Sequence, residues 1–315
     1  MSPPLFVLGV ARSGTTLLRV VLDRSPGIAI PEESRFIPLL ARRHRGRVER
    51  EPFLDDLRRI PELRRWELDP ADVTVEPAAS TADAIAAVFA AYAAKHGKPR
   101  WGDKTPMYMR HLPLLERLFP GAQYVHLVRD GRDAAVSFLE MPEGTFTRTW
   151  AHPGSPATFA CQWRTEVEAA SALGARVGDR YLEIRYEELV TEPERAVRTV
   201  CDFARLPFEA SMLEYPGAVD VSEKPHHQGL REPPTAGRRD WRRELSPADA
   251  RAFETIAGDL LEELGYELSD PTASHGGVRA AAALAWYQAR IRAWDATAAA
   301  AQRSPLWRRR HPPLI

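Results

Sequence analysis

At 315 residues the chain exceeds the usual single-domain length but fits one large α/β domain; its 44% hydrophobic and 27% charged residues exclude a wholly disordered chain, a collagen-like repeat and a multi-span membrane protein. Lysine plus arginine and aspartate plus glutamate both total 43, so no overall field draws the molecule to nucleic acid or an anionic membrane, and any anion site has to be built locally. Two cysteines, Cys161 and Cys201, are too few for a disulfide framework and wrongly spaced for zinc, so a reducing, cytoplasmic setting is the expectation. Leu5 to Leu8 runs straight into Gly9 and a polar loop, so neither an export signal nor a transmembrane span is expected.

In chain order, Leu5-Phe6-Val7-Leu8 is an apolar run of strand length, and Thr15 to Leu22 follows at helical spacing until Pro26-Gly27 stops it. Ile28 to Ile30 reads as a second short strand ending at Pro31-Glu32-Glu33, which places a carboxylate pair at the strand edge where ligands collect in open parallel sheets. From Arg42 to Asp72 the sequence is densely charged with scattered apolar anchors. A mobile helical insertion over about 41–75 is expected there, shaping or covering a site rather than joining the core. Thr81 is expected to cap an alanine-rich helix to Lys95, and Tyr108 to Phe119 to form another.

Tyr124 to Val128 reads as a buried strand, followed by Arg129-Asp130-Gly131 and a helix through Ser137, repeating the first strand–loop–helix unit. A long helix around Thr158 to Leu173, an alternating strand from Tyr181 to Tyr186 and a helix from Glu194 to Ala204 come next. Pro216 to Asp240 lacks periodicity, and a stretch of that length inside a compact domain is usually functional or mobile. Ser246-Pro247 opens a helix ending at Gly265. A last helix from about Val278 to Ala301 carries Trp286, Tyr287 and Trp294, with the core or a second copy of the chain as its docking partner, so a homo-oligomer is one expectation. Strands alternating with helices give an α/β fold with a central parallel sheet and helices on both faces, over residues 1–270, with 271–315 as a helical extension.

Two motifs carry chemistry. In Gly9-Val10-Ala11-Arg12-Ser13-Gly14-Thr15-Thr16 the glycines allow a tight turn, and the following helix offers unpaired N–H groups and its positive end to an anion. The glycine spacing fits a P-loop, but Thr15 stands where that motif requires the lysine that reaches the β- and γ-phosphates. A donor with a shorter, less charged 5′ group fits such a loop better than a nucleoside triphosphate. In the second motif, Val128-Arg129-Asp130-Gly131-Arg132-Asp133 with Ser137 eight residues after Arg129, an arginine and a serine can grip one phosphate from two directions. The plainer alternative is an Arg129–Asp130 pair at the sheet edge.

Together the motifs resemble the sulfotransferases that use 3′-phosphoadenosine 5′-phosphosulfate (PAPS), the first matching their 5′-phosphosulfate loop and the second their 3′-phosphate motif. Arg12-Ser13-Gly14-Thr15-Thr16-Leu17 and Glu32-Glu33-Ser34-Arg35 look like the tyrosylprotein sulfotransferase branch and its bacterial relatives. The likeness continues through Lys104-Thr105-Pro106, Leu118-Phe119-Pro120 and Tyr186-Glu187-Glu188-Leu189. It implies a P-loop-like fold, with Arg12, Ser13, Gly14, Thr15 and Thr16 at the donor's 5′ end, Arg129 and Ser137 at the 3′-phosphate, and Tyr186 near the nucleotide. The family also brings a late basic loop to the 3′-phosphate, for which Arg231 is the choice here. Where the tyrosylprotein branch has a further arginine after the motif serine, this chain reads Phe138-Leu139-Glu140-Met141.

The resemblance gives Glu33 the role of general base, with a pKa raised toward neutrality by shielding from water. Lys104, a lysine amid arginines, is assigned with Arg12 to the leaving group. The plainer readings are a helix-start carboxylate pair for Glu32 and Glu33 and a surface charge for Lys104. His126 reads as a satisfied core histidine, and His226-His227 lack partners at metal-ligand spacing, so no metal is expected. Arg42, Arg43, Arg45 and Arg47 read as a solvated helix face, with an entrance for an acidic acceptor as the sharper alternative. Sulfuryl transfer to the hydroxyl of a small molecule, glycan or peptide is therefore expected, releasing 3′-phosphoadenosine 5′-phosphate (PAP). The rivals are a P-loop small-molecule kinase and a non-catalytic anion-binding protein.

Overall fold

The computed structural model describes residues 2–141, 150–215 and 239–304. Strands β1 (Leu5–Leu8), β2 (Gly102–Asp103), β3 (Gln123–Val128) and β4 (Tyr181–Arg185) form one sheet in the order β2-β1-β3-β4, with every pair parallel. Leu5 lies opposite Gln123 and Leu8 opposite His126. Because side chains alternate across a strand, Phe6, Leu8 and Tyr124 enter one hydrophobic core while Leu5, Val7, Val125 and Leu127 enter another. Both faces of the sheet are therefore covered, which explains the unbroken apolar runs of β1 and β3.

The helices are α1 (Thr15–Asp23), α2 (Ile37–Arg43), α3 (Arg50–Leu57), α4 (Pro61–Arg65), α5 (Thr81–Lys95), α6 (Leu112–Leu118), α7 (Gly131–Leu139), α8 (Pro156–Val177), α9 (Tyr186–Thr191), α10 (Pro193–Ala204), α11 (Trp241–Glu244), α12 (Pro247–Glu263) and α13 (Gly277–Arg303). Residues of α1, α9 and α10 fill the core beneath Leu5 and Val7, while α2, α5, α8 and α12 fill the other.

Four local expectations change. Ile28–Ile30 makes only a single bridge, Ala29 to Trp101, because α1 takes its backbone first: Asp23 Oδ1 accepts from Ile30 N at 2.8 Å and Arg19 Nη1 donates to Ile30 O at 3.1 Å. Ser80, not Thr81, caps α5, through a reciprocal box with Asp83. The helix expected from Tyr108 splits into a 3-10 turn, Pro106–Arg110, and α6, whose second residue Pro113 suits a first turn and no interior. The charged insertion belongs to the main core, where Phe53, Leu54, Leu57, Ile60, Leu63 and Trp66 are all buried. Its apolar residues are few, but they recur at helical spacing, and that recurrence puts them on one face.

The C-terminal helix α13 docks on α8 and α12 of its own chain, burying Ala280 and Tyr287 and leaving Trp286 exposed. Among the described residues no helix is long and apolar enough to cross a membrane. Cys161 and Cys201 are buried and unpaired.

Candidate active site

The loop from Gly9 to Gly14 runs from the carboxyl end of β1 into α1, whose N-terminus no side chain caps. Gly14 sits at φ 88°, and a Cβ there would come within 2.3 Å of the Tyr186 ring, so the loop needs glycine for both its turn and its neighbour. Arg12 also adopts a left-handed backbone, at φ 72°, a strain of about 1–3 kcal/mol for a non-glycine residue. That conformation delivers its guanidinium to α7, where Nε donates to Ser137 Oγ at 2.9 Å.

Arg129, leaving β3, donates from Nη1 to the Arg12 carbonyl at 3.0 Å and lies over the Tyr186 ring at 4.5 Å. Burial, then Arg129 and Arg239, pull the Arg12 guanidinium down to about 10. Two further donors in this corner, Ser13 Oγ and Arg129 Nε, are buried without a hydrogen-bond partner. A cationic corner with orphaned donors beside an uncapped helix is shaped for an anion.

The second cluster lies at the ends of β1 and β2. Lys104 follows β2 directly, is buried, and donates from Nζ to Glu33 Oε1 at 2.8 Å and to Thr16 Oγ1 at 3.1 Å. Arg35 holds the other Glu33 oxygen at 3.1 Å. Glu33 is thus not a helix-start carboxylate, since α2 begins four residues later, and Lys104 is no surface charge. The expected upward shift of Glu33 is reversed. Burial does push its carboxyl up, but Lys104 and then Arg35 outweigh burial and bring it down to about 2.

A buried set of hydroxyls fixes the two chain segments that carry Glu33 and Lys104. Ser34 N donates to Thr105 Oγ1 at 2.9 Å, Ser34 Oγ meets Tyr108 OH at 2.6 Å, and Ile37 N donates to Tyr108 OH at 3.1 Å. Thr105 in turn donates to Asp103 Oδ2 at 3.3 Å. Asp103 is buried, its other oxygen has no partner, and burial pushes its carboxyl up to about 7. The insertion contributes as well, because Trp66 Nε1 donates to Glu32 O at 3.1 Å.

The expected Arg129–Asp130 alternative is absent. Asp130 caps α7 and is gripped by Arg132, from Nε at 3.0 Å and Nη2 at 2.7 Å, while Arg132 also meets Glu254 at 2.5 Å and stacks on Trp241 at 3.8 Å. His126 is only half satisfied: Nδ1 meets Tyr181 OH at 2.7 Å, but buried Nε2 has no partner. In the arginine cluster, Arg43 pairs with Asp56, and Arg42, Arg45 and Arg47 are exposed.

Arg12, Ser13, Gly14, Thr15, Thr16, Arg129, Ser137 and Tyr186 thus gather at one edge of the sheet with Glu33 and Lys104. Arg231 lies outside the described residues, as do His226 and His227. The sequence reading missed Arg239, which raises the positive potential at Arg12 and pairs with Glu140 and with Glu244 at 2.6 Å. Glu140 lies in the stretch Phe138 to Met141 where a further arginine was expected, so a late arginine meets the departure in the second motif. The nearby Trp241 was the available signal, since its backbone N donates to Asp133 Oδ1 of α7 at 2.9 Å and draws Arg239 in.

This fold and site define the class of enzymes that transfer a sulfuryl group. The model of the "Sulfotransferase family" matches residues 3–210, and the chain belongs to that family. It is 30% identical to human protein-tyrosine sulfotransferase 1 over 276 residues, covering 84% of this chain and 70% of that protein. Its zebrafish (Danio rerio) counterpart is 28% identical over 277 residues, covering 84% and 72%. Among solved structures, the sulfotransferase domain of the Synechococcus PCC 7002 olefin synthase is similar at TM-score 0.57 and 25% identity, covering 85% of this chain and 97% of that one.

Proposed function

We propose that the protein moves the sulfuryl group of PAPS to an acceptor hydroxyl, with Glu33 as general base. The observation that carries this reading is the Lys104 ammonium, held between Glu33 and Thr16 at the mouth of a loop that lacks the P-loop lysine. Arg12, Ser13, Gly14, Thr15 and Thr16 would hold the 5′-phosphosulfate, Arg129 and Ser137 the 3′-phosphate, and Tyr186 the nucleotide, with Arg239 adding positive charge. Ser13 Oγ and Arg129 Nε, buried without partners, support that fit.

In the transfer, Glu33 takes the acceptor's O–H proton as the oxygen attacks sulfur in line. The bond from sulfur to the bridging oxygen breaks, and Lys104 and Arg12 receive the charge that builds on the phosphate of PAP. Paired with Lys104, Glu33 is a weak base. A donor that draws the ammonium toward its bridging oxygen removes the largest force holding Glu33 down, and burial then raises its pKa. Donor binding thereby arms the base, and Glu33 stays quiet until there is a sulfuryl group to transfer.

Relatives named protein-tyrosine sulfotransferases support a peptidyl tyrosine hydroxyl as the first acceptor to try, ahead of sugar and small-molecule hydroxyls. Glu33→Gln should lower turnover of PAPS by about 10²–10⁴-fold, the usual contribution of a general base, while PAP affinity stays within about twofold. Parallel loss of turnover and PAP affinity would assign Glu33 a structural role. Tight binding of ATP–Mg with no binding of PAP would replace the whole reading with that of a kinase.

A further inference from the structure

Away from the donor loop, a cavity of about 140 Å³ lies between α8 and α13, with Arg110 of the 3-10 turn at its edge. Its wall combines buried Glu166 and Tyr287 and half-buried Thr165 with exposed Arg110, Gln288 and Arg292. The α13 side lies beyond residues 3–210, outside the family match.

Two polar atoms of this wall are orphaned. Glu166 Oε1 accepts from Gln162 Nε2 at 3.0 Å, but Glu166 Oε2 and Thr165 Oγ1 are buried with no partner. Each such atom costs about 1–3 kcal/mol unless something fills its need. Among the described residues Glu166 forms no ion pair. Arg110, the charged group acting on it most strongly, has its Nη2 on Asp295 at 2.8 Å. The cavity thus has a carboxyl and a hydroxyl inside and two guanidiniums at its rim, of which, among the described residues, Arg110 alone is tied to a carboxylate.

We infer that this pocket binds a small zwitterion, an amino acid whose ammonium group meets Glu166 and Thr165 and whose carboxylate meets Arg110 and Arg292. The orphaned oxygens both accept, as an ammonium requires, and the rim donates, as a carboxylate requires. At about 30 Å³ per water the cavity has room for only a handful of solvent molecules, which fits a ligand of five to seven non-hydrogen atoms.

Binding should be linked to a proton. Burial pushes the Glu166 carboxyl up to about 8, opposed by Arg110 and Gln162, with Tyr287 facing it from α13. Near pH 7 the empty site therefore holds a proton that an ammonium would expel, so affinity should rise with pH until about 8.

The test is calorimetry on the full chain with glycine, β-alanine and γ-aminobutyrate, and with propionate and ethylamine as single-charge controls. At least one zwitterion should bind at about millimolar Kd or tighter, at least tenfold better than either control, and release protons at pH 7 as judged from buffers of different ionisation heat. Glu166→Gln should weaken binding at least tenfold, and Arg292→Ala, an exposed change that leaves folding intact, about fivefold. No heat from any of the three up to about 10 mM would mean a pocket that holds water only and would overturn the proposal, as would unchanged binding in Arg292→Ala together with Glu166→Gln.

Discussion

The chain builds the same unit twice, a buried strand turning through glycine and arginine into a helix, and the two copies resolve their charges in opposite ways. In β3–α7 the helix N-terminus is closed from within: Asp130 caps it, and the Asp130 carboxylate is neutralised by Arg132, itself tied to Glu254. In β1–α1 the N-terminus has no side-chain cap, and the Arg12 guanidinium beside it is pressed by burial and by its neighbour Arg129. The N-terminus of α7 finds its anion within the unit; that of α1 is built to receive one from outside.

The sharpest way to break that contrast is to remove one arginine from each unit. Arg132→Ala strands Asp130 and Glu254 as buried, uncompensated carboxylates and should cost about 3–5 kcal/mol of stability in urea titrations. Arg12→Ala should change stability by no more than about 1 kcal/mol, because it removes repulsion with Arg129 but keeps the left-handed backbone strain, which any residue with a Cβ carries. It should weaken PAP by about 1.5–3 kcal/mol, roughly tenfold to a hundredfold. Equal stability losses in the two variants would erase the distinction.

The carboxylates near the ends of β1 and β2 sharpen the contrast through pH. Asp103 has its folded-state pKa raised by burial, so its stabilising contribution is full below its unfolded value near 4 and is lost as pH rises through about 7. The thermal midpoint of the protein should fall relative to Asp103→Asn between about pH 5 and pH 7 and level off above that. Glu33 is depressed to about 2, so its contribution is present above its ordinary value and is lost only as pH falls through about 2. Glu33→Gln should therefore shift the midpoint evenly across that same neutral range. A midpoint for Asp103→Asn that tracks the unaltered protein at every pH would show Asp103 to be ionised throughout.

What the sequence exposed was what lies close together in it. The loop of Gly9 to Thr16, the Arg129-to-Ser137 motif and Glu33 are local strings, and the alternating strands and helices were legible from period alone. Lys104 stood out because a lysine in an arginine-rich chain has a chemical reason to be there. The hydroxyl clasp was hidden because Ser34 and Thr105 are 71 residues apart, and Arg132 meets Glu254 across 122. No pattern in one segment encodes a partner that only the sheet brings near. The misreading of Glu33 has the same origin: burial was inferable from the motif, but the distance to Lys104, which decides the sign, was not.

The smallest expected effect tests whether the two units act as one. Ser137 belongs to the self-contained unit, yet its hydroxyl accepts from Arg12 Nε at 2.9 Å and so holds the first unit's arginine in place. Ser137→Ala should weaken PAP by only about 0.5–1.5 kcal/mol, between twofold and tenfold, since one neutral hydroxyl is lost and the guanidinium keeps its charge. If that loss comes from releasing Arg12, it cannot be suffered twice. The Arg12→Ala, Ser137→Ala double variant should then bind PAP about as weakly as Arg12→Ala alone, a coupling of about 0.5 kcal/mol or more in the double-mutant cycle. Strict additivity would mean that Ser137 and Arg12 reach the nucleotide separately, and that the hydrogen bond between them gives way when the donor arrives.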